Sequence, residues 1–401
     1  MNGKIHGDKA LRRGFSALQM LYWCSYGSST TYIVSYVKAV RNANDTTAGL
    51  LLAIFMLCAC VGQFGINSIC DKFQNNRKVF SFGMLACLAV WYGVYFSSNM
   101  PLLFVVYGLM GIVQPALAAV LDTWVIRSFP GDPNAYSPIR AMASLAYSSL
   151  MLVMGFAIDS IGHVVMLVLP TVFFIGGALM AWFMPEIPAL TQPVESHARA
   201  KVGLGVIQPI VWMFIVAMAI MGTANMPLLN MNLQIMENVG GTVTHSGIAV
   251  SCNTIAEFLT MRYGAVILRT LSARKKLLLA GMLYLGSTLI ILLVPNVFAL
   301  YLAFFVNGVA YGIILPSRRQ FINETVPESL LNRLHGVSDI AYTNTGGLLG
   351  NLMSGRVLDT WGVQVMVGIS WALEAISVAI MTTFKRFMKH ESGKKGIDTA
   401  A

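Results

Sequence analysis

A few charged residues stand inside long apolar stretches of this chain, where charge is rare. Asp122 lies near the end of one stretch, Arg140 lies near the start of the next, and Glu257 lies near the middle of another. A charge in hydrocarbon is costly, and a partner or a water-lined cavity removes much of that cost. A buried carboxylate can bind and release a proton, whereas a guanidinium offers a planar fork of donors to hydroxyl pairs or carboxylates. These residue types therefore suit proton transfer and the binding of a small polar solute.

The apolar stretches fix the class of protein. Of the 401 residues, 56% are hydrophobic and 11% are charged, and the mean hydropathy is +0.67. Runs of about 18 or more apolar residues predict transmembrane helices. Twelve spans can be counted, at about 14–38, 47–69, 79–98, 101–127, 138–157, 162–184, 207–235, 246–268, 277–295, 298–322, 333–356 and 363–384. We therefore expect an all-α integral membrane protein with twelve transmembrane helices, surrounded by the lipid bilayer.

The longest polar gap divides the spans into two sets of six. It reads PEIPALTQPVESHARAKVG, and its three prolines and mixed charges indicate a linker. We predict a six-helix bundle over 1–184, a cytoplasmic linker over 185–206, and a second six-helix bundle over 207–401 that ends in a basic cytoplasmic tail. Paired halves of this kind are typical of secondary transporters with internal repeats.

The positive charges predict the orientation. The net charge is +10, and a basic chain could bind nucleic acid, but here the Lys and Arg residues lie in short loops between spans. They collect on the side that holds both termini, so both termini are expected in the cytoplasm of an inner or plasma membrane. The six cysteines lie within or beside apolar spans and predict neither a metal site nor a disulfide framework. We expect a monomer without a cofactor.

The loop after the second span, NSICDKFQNNRK, resembles the signature loop of the major facilitator superfamily. Asp71 and Lys72 keep the places of the acid and the base in that pattern, while Asn67 and Gln74 replace its two glycines. In that family the loop is tied to switching between inward-facing and outward-facing states. The resemblance therefore implies a gating role for Asp71 and Lys72, although a plain positively charged loop explains them too.

A second resemblance covers the fourth and fifth spans. VLDTWVIRSF followed by YSPIRAMASLAY is similar to the acid and Tyr-Gly-x-x-Arg-x-x-Gly-Ser region of the lactose permease-like branch, which holds oligosaccharide and nucleoside symporters. Tyr136, Arg140 and Ser144 match that pattern. The resemblance implies that Asp122 and Arg140 hold substrate hydroxyls. A structural ion pair between them, or an Arg140 side chain that reaches up to the interface, remains an alternative.

Further matches extend the resemblance over nearly the whole chain. They are TIAEFLTMRYGAVILR in the eighth span, NGVAYG in the tenth, VPESLLNRLHGVS in the following loop and GGLLGNLMSGRVLDTWG ending the eleventh. In the branch, the glutamate of the eighth span binds sugar and couples it to the proton, which implies the same for Glu257. Arg262, five residues on, is a candidate partner of Glu257.

The tenth span departs from that branch. The positions of the branch's proton-carrying His and Glu fall near Asn307 and Ala310, so the usual carrier is missing. Arg318 and Arg319 stand nearby instead, and one of them can pair with Asp339 of the eleventh span. Because adjacent helical residues point about 100° apart, we expect that both arginines cannot face one spot: one can bind an anionic group of the solute while the other snorkels to the interface. Asp339 and Glu374, in the last span, join Glu257 as candidate proton carriers.

Uncharged groups complete the candidate site. The amides Asn225, Asn230 and Asn253 offer directional hydrogen bonds, and the aromatic rings of Trp23 and Tyr26 can stack on a sugar or a base. Ordinary packing explains most aromatic residues in such a chain, and Trp23 stands out because it lies midway along the first span.

These features predict a secondary transporter that carries a small hydroxylated solute, a sugar or an oligosaccharide, together with protons by alternating access. Uptake of a nucleoside or an acidic sugar is an alternative, as is a sensor or a drug exporter on the same fold. The sequence contains no nucleotide-binding loop and no cluster of metal ligands, so we expect neither an enzyme nor an ATP-driven pump.

Overall fold

The computed structural model describes residues 2–73, 75–129, 132, 135–185, 208–327 and 330–395, and their side chains outside 2–8, 63–73, 137, 265, 332 and 385–395. The described residues form helices and contain no strand. The helices are α1 (Asn2–Thr30), α2 (Ile33–Arg41), α3 (Asp45–Phe73), α4 (Asn76–Phe96), α5 (Met100–Ser128), α6 (Tyr136–Ile161), α7 (Val165–Phe183), α8 (Pro209–Asn230), α9 (Asn232–Glu237), α10 (Val243–Ile267), α11 (Ala273–Leu293), α12 (Val297–Thr325), α13 (Leu331–Asp339), a π-helical segment (Ile340–Thr345) and α14 (Gly346–Lys395).

The prediction of twelve membrane-spanning helices is confirmed. Nine helical segments of the described chain are long and apolar enough to cross a membrane. The last of them, Arg333–Phe384, holds two spans because Gly362 interrupts it with φ 79° and ψ −177°. Helices α1 and α10 supply the remaining two. They are less apolar because they contain more polar residues, among them Gln19 and four serines on α1 and Asn253 and Glu257 on α10.

Two predicted spans differ from the structure in their shape. The first is broken after Thr30, where the hydroxyls of Ser28, Ser29 and Thr30 donate to carbonyls one turn back; such bonds compete with the helical ladder. The eleventh is longer than predicted and includes the π-helical segment. There Tyr342 O lies so close to α8 that a Cβ on Gly222 would clash with it. A crossing this tight requires glycine.

The helices pack as two bundles of six spans. Within the first, α1 packs on α6 and α7, and α4 packs on α5 and α7; within the second, α8 and α11 pack on α14, and α12 packs on α10 and α11. Two pairs of helices join the bundles, α6 with α10 and α3 with α14. Large apolar side chains such as Phe96, Phe183 and Phe298 are exposed on the outer surface, as contact with lipid requires. From residue 186 to 207 the predicted linker lies outside the described residues.

Glycines bring both joining pairs into close contact. A Cβ on Gly49 of α3 would meet Asn351 O at 2.4 Å, and one on Gly247 of α10 would meet Met151 O at 2.5 Å. Small residues at helix crossings are the usual means of close packing in membranes. Both crossings lie at the end where α3 and α10 begin, the predicted external end, so the bundles touch there.

Candidate binding cavity

A cavity of about 330 Å³ lies between the two bundles. This volume lies within the range of small-molecule sites, roughly 300–1,000 Å³. Six of the residues that the sequence singles out line it: Trp23, Tyr26, Arg140, Asn230, Asn253 and Glu257. The first three come from the first bundle and the others from the second, so a bound molecule would contact both halves.

Arg140 stacks on an aromatic ring in the cavity wall. Its guanidinium carbon lies 4.2 Å from the centre of the Trp23 ring, which is a cation–π contact. The Trp23 indole N–H donates to Gln19 Oε1 at 3.2 Å, and Gln19 Nε2 donates to Asp122 Oδ1 at 2.9 Å. Gln19 thus connects the acid to the tryptophan that supports the arginine.

The direct ion pair that the sequence suggested between Asp122 and Arg140 does not form in this structure. The Asp122 carboxylate accepts a hydrogen bond from the Gln19 amide, while the Arg140 guanidinium stacks on the Trp23 ring. Tyr136 lies beside both charges. Asp122 is absent from the residues that line the cavity. Its place in the fold is therefore behind Arg140, where it positions Gln19.

Glu257 faces Arg140 across the cavity. The two charges are close enough to interact electrostatically, and among the described residues no hydrogen bond or ion pair within 4.0 Å holds the Glu257 carboxyl. Arg262, the partner considered from the sequence, is exposed on α10. Five residues correspond to about 140° around a helix, so Arg262 points away from the cavity. The carboxyl of Glu257 is thus free to engage a solute.

Asn253 begins a chain of hydrogen bonds that runs away from the cavity. Asn253 Nδ2 donates to Asn307 Oδ1 at 3.0 Å, and Asn307 Nδ2 donates to Asn225 Oδ1 at 2.7 Å. Asn225 Nδ2 then donates to the Tyr342 hydroxyl at 3.2 Å. Asn253 Nδ2 also donates to Phe304 O at 3.1 Å, so both amide hydrogens are used and its Oδ1 is left as an acceptor. Asn225 itself is buried in this chain behind the cavity wall.

The arginines of α12 have a different environment from the one predicted. Arg318 lies 3.1 Å from Asp339 Oδ1, as expected, but Arg319 also lies 3.8 Å from Asp339 Oδ2. The expectation that both arginines cannot face one spot is wrong, because the two oxygens of Asp339 and the long arginine side chains span the angle between neighbouring positions. Arg318 is 3% exposed and Arg319 66% exposed. Neither lines the cavity.

Four candidates from the sequence remain: Asp71, Lys72, Asp339 and Glu374. The side chains of Asp71 and Lys72 lie outside the described residues, so their predicted gating role stays a prediction. Asp339 is engaged by the two arginines. Glu374 is fully buried within the second bundle, on the part of α14 that follows Gly362.

The cavity contains polar groups that sequence reasoning did not select. Tyr147, Tyr107 and Tyr311 line it, and the Tyr107 hydroxyl is buried without a hydrogen-bond partner among the described residues. Thr343 enters the wall from the π-helical segment, a distortion that often occurs at functional sites. Aromatic residues in apolar spans resemble packing residues, so only the three-dimensional arrangement identifies the three tyrosines.

The predicted external end of the cavity is closed by two carboxylates, which we call the clamps. Asp159 at the end of α6 accepts from Thr244 N at 2.8 Å and from Thr242 Oγ1 at 2.7 Å, at the start of α10. Asp359 accepts from Thr46 N at 2.7 Å, at the start of α3. Each clamp joins one bundle to a helix N-terminus of the other, where the helix dipole favours negative charge.

The clamps occupy equivalent positions in the two halves. Asp159 is followed three residues later by Gly162, with φ 78°, and Asp359 by Gly362, with φ 79°. Glycine adopts this left-handed backbone conformation easily, and at both positions the chain turns into the next span. The repeated Asp-x-x-Gly was the sequence signal that could have identified them.

Removing the charge of both clamps should open this end. In the variant Asp159→Asn/Asp359→Asn each site loses charge-assisted bonds worth about 1 kcal/mol. Distant sites add, so the open population should rise about 30-fold. Spin labels at the exposed positions Val40 and Phe298 would report a longer distance. Glu324→Gln, at the other end of α12, is the matched control, and equal distances in all three proteins would contradict the assignment.

The chain resembles known transporters over most of its length. A family model described as Major Facilitator Superfamily matches residues 15–342 and 213–396. A maltose permease of Geobacillus stearothermophilus is 22% identical over 367 residues, which cover 89% of this chain and 90% of that protein. The uncharacterized transporter YwbF of Bacillus subtilis (strain 168) is 20% identical over 330 residues, or 79% and 80% of the two chains.

Solved structures share the fold. The nucleoside transporter NupG superposes with a TM-score of 0.78 at 16% identity, covering 94% of this chain and 99% of that one. An auto-inhibited peptide transporter of the POT family gives 0.75 at 9% identity, with coverage of 95% and 97%. At these identities the likeness concerns the architecture alone.

Proposed function

Because the chain belongs to the Major Facilitator Superfamily, we propose that this transporter takes up a small hydroxylated solute, a sugar or an oligosaccharide, together with protons. The observation that carries the proposal is the cavity in which Arg140 of one bundle faces Glu257 of the other. A planar guanidinium and a carboxyl can each bind a pair of hydroxyls. The likeness to a maltose permease over most of both chains supports a sugar.

The mechanism is alternating access. The two bundles rock about the cavity, so that it opens to one side of the membrane at a time. The clamps and glycine crossings hold the predicted external end closed, and the distribution of Lys and Arg favours a cytoplasmic location for both termini. The clamps must therefore break each time the cavity opens to the outside.

Glu257 is the group that carries the proton transported together with the solute. When the cavity faces outward, the protonated carboxyl accepts hydrogen bonds from the solute and donates one to it without leaving a buried charge. Release of the solute inside lets water reach the carboxyl, which then gives up its proton. Arg140 then supplies a nearby positive charge for the ionised carboxylate.

A nucleoside is the second candidate solute. The aromatic wall favours it, since Trp23 and Tyr26 lie side by side with ring centres 5.4 Å apart and could stack on a base. An anionic solute has less support. Both Arg318 and Arg319 lie beside Asp339, and among the described residues that line the cavity the positively charged side chain is Arg140.

A thermal-shift screen tests the choice of solute. Purified protein is heated with neutral sugars, uronates and nucleosides, and a stabilising compound raises Tm because it binds the folded state. We expect a neutral sugar or oligosaccharide to give the largest shift. A shift with nucleosides alone would overturn the sugar assignment and leave the cavity as the binding site, which Arg140→Lys would then test.

A further inference from the structure

A group of unpaired oxygen atoms lies inside the second bundle, away from the cavity. Both carboxyl oxygens of Glu374, the hydroxyl of Ser370 and the hydroxyl of Thr288 are buried and have no hydrogen-bond partner among the described residues. All three residues are 0% exposed. Ser370 precedes Glu374 by one turn on α14, so both side chains lie on one helix face. Thr288 approaches the carboxyl from α11 closely enough to interact with it, although the two groups form no hydrogen bond of ordinary geometry.

The neighbouring serines show that the missing partners are not a general property of these helices. Ser377, also on α14, donates to Ala217 O at 2.7 Å, and Ser287, next to Thr288, donates to Ala303 O at 2.9 Å. Buried hydroxyls are nearly always bonded in this way. An unpaired buried polar group costs about 1–3 kcal/mol. Two carboxyl oxygens, an unpaired hydroxyl beside them from α11 and another one turn earlier on α14 form an oxygen-rich group that could bind a positively charged ligand.

The kinds of oxygen atom in this group indicate which ligand it would bind. Carboxyl and hydroxyl oxygens are hard donors, which favour alkali and alkaline-earth cations over transition metals. One carboxylate neutralises one positive charge. A divalent ion would leave a net charge in the middle of an apolar bundle, where charge is expensive.

We propose that Glu374, Ser370 and Thr288 bind a sodium ion inside the second bundle. This site is separate from Glu257 and from the solute cavity. The hydrogen-bond chain from Asn253 ends close to it, because the Tyr342 hydroxyl lies 3.0 Å from that of Tyr284 and Tyr284 interacts electrostatically with Glu374. Each amide in this hydrogen-bond chain donates toward the interior of the second bundle. The negatively charged group there is the Glu374 carboxylate.

The test is sodium-dependent stabilisation of the purified full-length protein. Unfolding is followed at constant pH and ionic strength in NaCl, KCl or choline chloride. An ion that binds the folded state at about ten times its Kd should raise Tm by roughly 2–4 °C. We expect such a rise with Na⁺ relative to choline and its loss in Glu374→Gln, Ser370→Ala and Thr288→Val.

Matched controls separate the site from general effects of mutation. Ser377→Ala and Ser287→Ala remove hydroxyls that already have partners, and they should keep the sodium effect. Binding of ²²Na⁺ to the detergent-solubilised protein gives a second measurement that needs no solute and no transport, so it stands even if the proposed solute is wrong. A wild-type protein whose Tm responds to pH and not to Na⁺ would overturn the sodium site. So would a sodium effect that survives all three site variants.

Discussion

Replacing Glu257 with glutamine abolishes uphill uptake of the solute and leaves exchange across the membrane intact. The new amide side chain has the shape of a protonated glutamate and can still bind a hydroxyl, but it cannot release a proton inside. At about 1.36 kcal/mol per pH unit, one proton per solute across a gradient of about two units supports about 100-fold accumulation in proteoliposomes. That accumulation should fall to the level of empty liposomes, whereas counterflow, which needs binding and reorientation only, should continue.

The control for this variant is Glu324→Gln. Glu324 is an exposed carboxyl on α12 that accepts from Gln320 Nε2 at 2.7 Å, so its removal should leave accumulation unchanged. Uphill uptake that survives in Glu257→Gln would show that another group couples the proton. Asp339 and Glu374, the other candidates from the sequence, would then be tested in the same way.

Arg140→Lys weakens binding of the solute although it keeps the positive charge. Lysine loses the planar fork of donors and the stacking on Trp23, for which the cation–π part alone is worth about 0.5–2 kcal/mol. With the lost hydrogen bonds, Kd should rise about 30-fold or more, at about 1.4 kcal/mol per factor of ten. Isothermal titration of the purified protein measures the change directly.

Arg262→Lys is the matched control for Arg140→Lys, because Arg262 is exposed on the outer face of α10. Asp122→Asn should have a smaller effect than Arg140→Lys, since Asp122 acts through Gln19 and Trp23. Unchanged affinity in Arg140→Lys would mean that the arginine supports the fold and does not hold the solute.

The sequence predicts the fold well for a physical reason. Lipid forces long apolar runs to form helices, so composition alone reveals the spans and their number. Residues such as Arg140 and Glu257 could be selected in the same way, since a charge in an apolar run needs a cavity or a partner. Both do line the cavity.

What the sequence could not predict depends on contacts between distant spans. Asp122 accepts a hydrogen bond from Gln19 instead of pairing with Arg140, and Gln19 is a residue of α1 that looks ordinary in sequence. The convergence of Arg318 and Arg319 on Asp339 depends on the place of α13 beside α12. The repeated Asp-x-x-Gly marks the two clamps in the sequence, but only the packing of α6 on α10 and of α14 on α3 shows which helix N-termini the carboxylates reach.

Solute accumulation in proteoliposomes tests whether this transporter couples solute uptake to protons. Wild-type protein is reconstituted with a defined inward proton gradient, and the radiolabelled solute from the thermal-shift screen is followed with and without a protonophore. We predict accumulation above the external concentration, with protons entering alongside the solute, and collapse when the gradient is dissipated. Solute binding without any flux, or accumulation that ignores the gradient, would contradict the account.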